Sequence, residues 1–274
     1  MEIEVMQSFQ TAEEFWLWLA RNPDLRDQVK IRNSAEAANL AGIQSRFLGP
    51  VPAEEVIIAG PHYRESLVAR GLTSRQRAVL DLLALEPKVG QHGMAAIYAP
   101  EAITPLAMTL RGRFPRFIGS EYTTSSHTRS LLYPILIEDL RNLSFPSEIY
   151  DAVITNDVLE HVPDIAPALS EIARILKPGA VMLSTFPFTW KAESLVRAKI
   201  VDGQIEHILE PEYHGNPCEP GQGSLVFTIP GWDILDYCRE AGFSRVEMVF
   251  MASTAAGILG SESMALVNVL RAYR

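Results

Sequence analysis

The chain has 274 residues, of which 47% are hydrophobic and 21% charged, and its formal net charge is -9 at pH 7. This composition is typical of a folded protein with a sizeable core, and the acidic balance argues against electrostatic capture of nucleic acid. No apolar run reaches the roughly 18 residues that a membrane span requires. We therefore expect a small molecule as partner, with neither nucleic acid nor membrane.

The two cysteines, Cys218 and Cys238, are too few and too far apart to predict a zinc site or a disulfide framework. The N-terminal residues Met1-Glu2-Ile3-Glu4 lack the basic start and apolar stretch of a signal peptide. These features favour a cytoplasmic protein.

Residues 1–90 are predicted to form a mainly helical N-terminal region. Thr11 stands where a helix cap is expected, just before the apolar run 15–19, and residues 75–85 carry a second apolar helical pattern. Gly-Pro pairs at 49–50 and 60–61 punctuate the chain between them.

From residue 94 onward, short apolar runs alternate with helical patterns. Strands are predicted at 94–99, 117–120, 135–137, 152–155 and 180–184, and helices at 104–113 and 165–176. After a polar, Gly- and Pro-rich segment at about 189–229, a helix at 232–241 and strands at 246–252 and 264–271 follow. The alternation predicts an α/β domain, residues 91–274, with a mostly parallel sheet covered by helices on both faces. We interpret the insertion as a cap or loop on the substrate side.

Acidic residues follow the first four of these strands at steps of 20, 18 and 18 residues: Glu101, Glu121, Asp139 and Asp157. Since ligands of open parallel sheets bind at the carboxyl ends of the strands, the four side chains are predicted to converge on one crevice. A carboxylate after the second strand suits ribose hydroxyls. Each residue taken singly is better explained as a strand-end or helix-cap residue, but the set in register favours a ligand site.

A family resemblance covers roughly residues 94–188. Two segments carry it: Tyr150-Asp151-Ala152-Val153-Ile154-Thr155-Asn156-Asp157-Val158-Leu159-Glu160-His161-Val162-Pro163-Asp164 and Glu171-Ile172-Ala173-Arg174-Ile175-Leu176-Lys177-Pro178-Gly179-Ala180. The first resembles the fourth-strand segment of class I S-adenosylmethionine-dependent methyltransferases. The second is similar to the helix and turn that follow that strand in the family. The resemblance implies a Rossmann-like fold with S-adenosyl-L-methionine as cofactor. It also implies Glu121 at the ribose, Asp139 and Leu140 at the adenine, and Asn156 with Asp157 near the methionine part.

The turn after the first strand departs from the family pattern. It reads Tyr98-Ala99-Pro100-Glu101-Ala102, without the usual glycines, so Cβ atoms stand where the ligand is expected and Pro100 offers no N–H donor. Either the cofactor sits slightly displaced, with Glu101 receiving its amino group, or cofactor binding has been lost. The segments 98–101, 119–122 (which ends at Tyr122) and 212–215 resemble a subgroup found beside glycosyltransferase genes. That subgroup is expected to carry a cysteine pair near 68–71, which here reads Val68-Ala69-Arg70-Gly71, and we therefore predict no metal.

Methyl transfer to oxygen or nitrogen often needs a base, and histidine is a residue type suited to that role. His161 lies just past the fourth strand. A packing role for this helix-start histidine is an equally good interpretation. His214 and Tyr213, in the insertion, are weaker catalytic candidates, because surface loop residues of this kind are more often structural.

The sequence features bear on three possible functions. The first is a methyltransferase that acts on a small-molecule or sugar-linked acceptor, and the second is a catalytically inactive methyltransferase-like binding or scaffold protein, suggested by the turn without glycine. A nicotinamide dehydrogenase is disfavoured because no Gly-x-Gly-x-x-Gly run follows the first strand. The sequence leaves the acceptor and the oligomeric state open.

Overall fold

The computed structural model describes residues 2–90, 93–219, 221 and 223–274. Its helices are α1 (Ala12–Ala20), α2 (Gln28–Ala41), α3 (Tyr63–Ser66), α4 (Ser74–Leu83), α5 (Pro87–Gly90), α6 (Pro105–Arg113), α7 (Ser126–Leu132), α8 (Ile165–Ile175) and α9 (Ile234–Glu240). Short 3₁₀ turns lie at Pro23–Arg26, Ala53–Glu55 and Leu159–His161. Within this described part of the chain, no helix has the length and apolar character to cross a membrane.

The strands follow in the same chain order. They are β1 (Glu4–Phe9), β2 (Ile43–Ser45), β3 (Gly49–Val51), β4 (Val56–Ile58), β5 (Leu67–Ala69), β6 (Leu72–Thr73), β7 (Ala96–Ala99), β8 (Arg116–Glu121), β9 (Leu136–Ile137), β10 (Tyr150–Asn156), β11 (Leu176–Thr185), β12 (Leu195–Val196), β13 (Ala198–Val201), β14 (Gln204–His207), β15 (Tyr213–His214), β16 (Ser224–Leu225), β17 (Thr228–Ile229), β18 (Arg245–Ser253) and β19 (Val267–Tyr273). The chain forms two compact units, Met1–Gly90 with Glu247–Leu270, and Gln91–Val246 with Arg271–Arg274.

The first unit contains strands as well as helices. β1 pairs antiparallel with β18, so that Glu4 lies opposite Ser253 and Phe9 opposite Met248. The side chain of Thr11 caps α1 by accepting the N–H of Glu14, as the sequence pattern indicates. Phe15, on the buried side of this helix, stacks on Phe250 with ring centroids 4.3 Å apart, which fixes α1 on the strand pair.

A buried arginine organises the other elements of this unit. The guanidinium of Arg77 donates to the carbonyls of Leu67, at 3.1 Å, and Leu72, at 2.6 Å, and also to that of Gly257. Burial lowers the pKa of Arg77 to about 10. The carbonyl acceptors compensate for the loss of water around this charge and tie α4 to the small sheet of β4, β5 and β6.

The second unit is a Rossmann-like α/β domain, as the sequence indicates. Its strands lie in the order β9-β8-β7-β10-β11, and the pairs β7–β8, β8–β9, β7–β10 and β10–β11 are all parallel. The apolar face of α8 is buried through Ile165, Leu169 and Ile172, the helical spacing seen in the sequence. β8 and β9 are added on one side of β7, whereas β10 and β11 are added on its other side. The strand order therefore reverses between β7 and β10.

The insertion at 189–229 is more ordered than its composition suggests. Three antiparallel pairs occur there: β12 with β17, β13 with β14, and β15 with β16. The sequence pattern did not indicate these pairs, because short paired strands with polar, exposed residues carry no apolar alternation that it would reveal.

Candidate active site

The carboxyl edge of the parallel sheet is formed by the ends of β7, β8, β9 and β10. The turn after β7 lies directly on β8 at Gly119, where a Cβ atom would come within 2.6 Å of the carbonyl oxygen of Glu101 and 3.0 Å of the Cα atom of Ala102. The close packing of this turn on the sheet is therefore permitted by a glycine on the neighbouring strand. This accounts for a turn without glycine that still packs tightly on the sheet.

Glu121, at the end of β8, is hydrogen-bonded to the turn after β7 and to the chain just past β9. Its Oε1 atom accepts the backbone N–H of Ala102 at 2.8 Å and that of Ile103 at 3.2 Å. The backbone carbonyl of Glu121 accepts the N–H of Glu138, just past β9, at 3.0 Å. Glu101 is only 5% exposed, and its carboxylate accepts the hydroxyl of Thr104. The first two acidic residues of the predicted set thus lie on one continuous stretch of this edge.

The predicted cofactor contacts on β7 differ in how they are placed. The side chain of Tyr98 is fully buried, its hydroxyl lies 2.8 Å from that of Ser120, and its ring contacts Phe145 and Tyr150. Burial raises the pKa of Tyr98 well above its usual range. Its side chain belongs to the core beneath the edge, which leaves only its backbone for a ligand. Ala99 is buried and Pro100 half-buried.

On the neighbouring strands, Tyr122 is 54% exposed and Leu140 is buried. Asp139 forms a two-pronged ion pair with Arg141, with Nη2 2.7 Å from Oδ2 and Nε 3.0 Å from Oδ1. Hydrogen bonding to Arg141 holds the pKa of Asp139 below its ordinary value. The predicted adenine contact therefore has an intramolecular partner.

The end of β10 has an unusual backbone. Asp157 has φ +52°, in the left-handed region that residues other than glycine adopt rarely and that is over-represented at functional sites. The hydroxyl of Thr185, at the end of β11, lies 2.8 Å from Oδ1 of Asn156 and 2.8 Å from Oδ1 of Asp157. These contacts hold both predicted methionine-side residues at the carboxyl edge.

The 3₁₀ turn after β10 places Glu160 and His161 beside His214 of the insertion. The Oε1 atom of Glu160 lies 3.8 Å from Nε2 of His161 and 3.7 Å from Nδ1 of His214, and the two imidazole rings are perpendicular with centroids 5.1 Å apart. The side chain of Glu160 is completely buried, and this burial raises the pKa of its carboxyl. The neighbouring carboxylates of Glu160 and, to a lesser degree, Glu212 raise the pKa of His214. The two predicted histidines thus lie together, whereas Tyr213 is 54% exposed.

The insertion also reaches the end of β8. Glu219 accepts the hydroxyl of Thr123 at 2.9 Å and that of Thr128 at 3.2 Å. Burial, with the negative charge of Glu121 as a smaller cause, raises the pKa of the Cys218 thiol to about 12. Residues 214–219 therefore connect the histidine cluster with the acidic residue expected at the ribose.

Sequence reasoning missed Glu160, Glu212 and Glu219 as residues of this region. Glu160 belongs to the segment that carries the family resemblance, and its neighbour His161 was singled out, but nothing in the pattern indicated that this carboxylate is buried. Glu212 and Glu219 lie in the insertion, whose path could not be inferred.

Residues 118–184, from β8 to β11, match the family model described as "Methyltransferase domain". The curated "Ubiquinone biosynthesis O-methyltransferase" of Aromatoleum aromaticum is 29% identical over 104 residues, which are 38% of this chain and 40% of that protein. The chain thus spans well under half the length of this relative.

Solved structures with a similar chain trace include an S-adenosylmethionine-dependent methyltransferase from Mesorhizobium loti, with 14% identity, a TM-score of 0.46, and coverage of 74% of this chain and 98% of that one. Another is the [4+2]-cyclase SpnF, with 15% identity, a TM-score of 0.46, and coverage of 91% and 96%.

Proposed function

We propose that this chain, which carries a methyltransferase domain of the class I, S-adenosylmethionine-dependent type, transfers a methyl group from S-adenosyl-L-methionine to a small-molecule or sugar-linked acceptor. The observation that supports the proposal is the carboxyl edge of the parallel sheet: Glu101 and Glu121 lie there beside the point of strand reversal, and the turn that follows β10 carries the histidine cluster.

The residues present fit this cofactor. It bears a sulfonium and an ammonium group beside a single carboxylate, so an acidic edge suits its net positive charge, and Gly119 lets the turn after β7 pack close to the sheet. We assign Glu121 to the ribose hydroxyls and Asp139 with Leu140 to the adenine. Asn156 and Asp157 are assigned to the methionine part.

In the turn after β7, Glu101 is assigned to the amino group of the cofactor. We assign contacts along the side of the cofactor to the backbone of Tyr98, Ala99 and Pro100, with Tyr122 nearby. When bound, the cofactor supplies an electrophilic methyl group on its sulfonium sulfur.

The chain's own contribution to the reaction is orientation and proton handling. Holding the acceptor in line with the methyl group supplies most of the acceleration, because two reactants fixed in the right geometry react as if at very high concentration. His161 and His214 are the groups we assign to the acceptor's hydroxyl or amine proton, with Tyr213 at the rim of the insertion. Oε1 of the buried Glu160 lies 3.8 Å from Nε2 of His161 and 3.7 Å from Nδ1 of His214, and its negative charge favours a proton on His214.

The test is transfer of an isotope-labelled methyl group from the cofactor to a panel of hydroxyl- and amine-bearing acceptors that includes sugars and their conjugates. Transfer that is inhibited by S-adenosylhomocysteine supports the proposal. Absence of transfer to every acceptor, from protein that binds the cofactor, contradicts the assignment of these acceptor classes.

A second function has its own supporting observation. Glu121 and Asp139 both have intramolecular partners, the former two backbone N–H groups and the latter Arg141, which is the arrangement expected of a methyltransferase-like binding protein that no longer uses these groups for a cofactor. Failure of the folded protein to bind S-adenosylmethionine favours this alternative.

A further inference from the structure

The charge of the buried Glu160 carboxylate has to be compensated, either by a positive charge beside it or by a proton of its own, since burial raises the pKa of this group. Its side chain has no exposed surface, and neither of its oxygens has a hydrogen-bond partner among the described residues. Leaving a carboxylate buried without such compensation is costly. Two imidazole nitrogens lie 3.7 and 3.8 Å from its Oε1 atom, beyond hydrogen-bonding distance.

The other nitrogen of each imidazole is already matched to an acceptor. Nδ1 of His161 lies 2.9 Å from the carbonyl oxygen of Leu225, and Nε2 of His214 lies 3.1 Å from Oε1 of Glu212. In neutral rings these outer nitrogens carry the proton, so Nε2 of His161 and Nδ1 of His214 direct lone pairs toward Glu160. An outer N–H bonded to a carbonyl or carboxylate is the arrangement that orients histidines ligating a metal.

We propose that Oε1 of Glu160, Nε2 of His161 and Nδ1 of His214 bind one divalent transition-metal ion of the zinc type. The three atoms lie within 4.8 Å of one another. Bonds of about 2.0–2.2 Å to zinc place ligand atoms roughly 3.4 Å apart in a tetrahedral site. The two separations from Oε1, 3.7 and 3.8 Å, thus need to contract by a few tenths of an ångström, and the two nitrogens, which lie within 4.8 Å of each other, by up to about 1.4 Å.

The ligand types select the class of ion. Two imidazoles and one carboxylate suit zinc and the neighbouring transition metals, whereas magnesium and calcium prefer sites made of oxygen atoms. Three protein ligands also leave a coordination position open, as in catalytic zinc sites. Metal binding itself does not depend on the proposed methyl transfer. A role for the open position in holding an acceptor hydroxyl rests on that function. With the ion bound, both nitrogens of each imidazole would be engaged, so the ion would take over the proton-handling role assigned above to the two histidines.

A proton is the competing source of positive charge. An imidazolium at His214, between Glu160 and Glu212, would also compensate the buried carboxylate, and the raised pKa of His214 is compatible with this arrangement. Only a metal site would bind one metal ion per chain and give the absorption bands of a bound Co²⁺ ion. Only in a metal site would binding of that ion depend on all three side chains.

The test is titration of chelator-treated, folded protein with Zn²⁺ by calorimetry and with Co²⁺ by visible absorption. We expect one ion per chain and the absorption bands of Co²⁺ bound to nitrogen and oxygen ligands. His214→Ala and Glu160→Gln should weaken binding at least 100-fold, and Glu212→Ala, which removes an outer partner, about 10- to 100-fold. His207→Ala, on the exposed hairpin of β13 and β14, is the matched control and should bind as the unmodified protein does.

Absence of stoichiometric binding by the folded protein overturns the proposal in favour of the protonated pair. Binding that survives both Glu160→Gln and His214→Ala overturns it as well, since the ion then lies elsewhere. S-adenosylmethionine binding, measured on the same preparations, separates failure of the metal site from failure of the proposed methyltransferase function.

Discussion

Replacing Glu121 by glutamine separates the structural role of this side chain from its proposed role in binding. In the structure one oxygen, Oε1, accepts the N–H groups of Ala102 and Ile103. A glutamine carbonyl oxygen can keep those two hydrogen bonds, but the other end becomes an NH₂ donor and the charge is lost. Glu121→Gln is therefore expected to preserve the turn after β7 and to impair recognition of the ribose hydroxyls.

The expected loss follows from the type of hydrogen bond removed. Hydrogen bonds to a charged group contribute about 1.5–3 kcal/mol each. Since about 1.4 kcal/mol corresponds to a tenfold change, losing one such bond raises the Kd for S-adenosylmethionine about 10- to 100-fold. The midpoint of urea unfolding should hardly change for Glu121→Gln, whereas Glu121→Ala, which also removes the acceptor for Ala102 and Ile103, should lower it.

Calorimetric titration with S-adenosylmethionine measures the effect, and Glu206→Gln is the control for the charge change. Glu206 is exposed on the hairpin of β13 and β14, so its substitution is expected to leave the Kd unchanged. Glu121→Gln protein that unfolds like the unmodified protein and binds the cofactor with the same Kd would refute the assignment of Glu121 to the ribose.

Three further results are expected. Gly119→Ala should destabilise the protein by about 1–3 kcal/mol in urea unfolding, since its new Cβ meets a backbone carbonyl oxygen at 2.6 Å. Gly112→Ala, in a helix with no atom within 4 Å of the new Cβ, should be neutral or stabilising, and an equal loss in both variants would contradict the packing argument. Cys218, whose thiol pKa is raised to about 12 by burial, should react with a disulfide reagent at pH 8 at least about 100-fold more slowly in the folded than in the urea-unfolded protein. Equal rates would show that this thiol is accessible. The depressed pKa of Asp139 means that its pairing with Arg141 stabilises the fold above the unfolded pKa of about 3.9, and this contribution is lost as the pH falls through the folded value. Arg141→Ala should therefore cost up to about 1 kcal/mol at pH 7, a small value because both side chains are about one third exposed, and the difference from the unmodified protein should shrink below pH 4. A difference that persists at low pH would indicate lost packing instead.

The parallel sheet was predictable because its signals are local. β10 has the apolar residues 152–154 at its centre, and α8 repeats its apolar residues at helical spacing. The spacing of the acidic residues along the sequence, 18 to 20 residues, then follows from the combined length of one strand and the helix after it. The sequence therefore predicts which residues end the strands, while the partner of each side chain at that edge depends on atomic packing.

Elements held by small residues or distant partners were not predictable in the same way. α2 buries Ile31, Ser34, Ala35 and Ala38, which have helical spacing but little apolar surface, so the hydrophobic signal is weak. β1 is only a short run, and its partner β18 lies more than 230 residues further along the chain, a pairing that no local pattern specifies.

At the candidate site, the sequence indicates residue types but not their surroundings. His161 and His214 were separate candidates, and only the path of the insertion brings them to the same carboxylate. The turn without glycine suggested either a displaced cofactor or lost binding. The glycine that permits its close packing, Gly119, belongs to the neighbouring strand and is recognisable only once the two segments are seen in contact.

Calorimetric titration of the unmodified, folded protein with S-adenosylmethionine and S-adenosylhomocysteine decides whether the chain binds the methyl donor. A methyltransferase is expected to bind one molecule of either compound per chain, with a Kd in the micromolar range, and the two should compete for the same site. Absence of binding by protein that unfolds cooperatively would contradict the account and favour a methyltransferase-like binding protein.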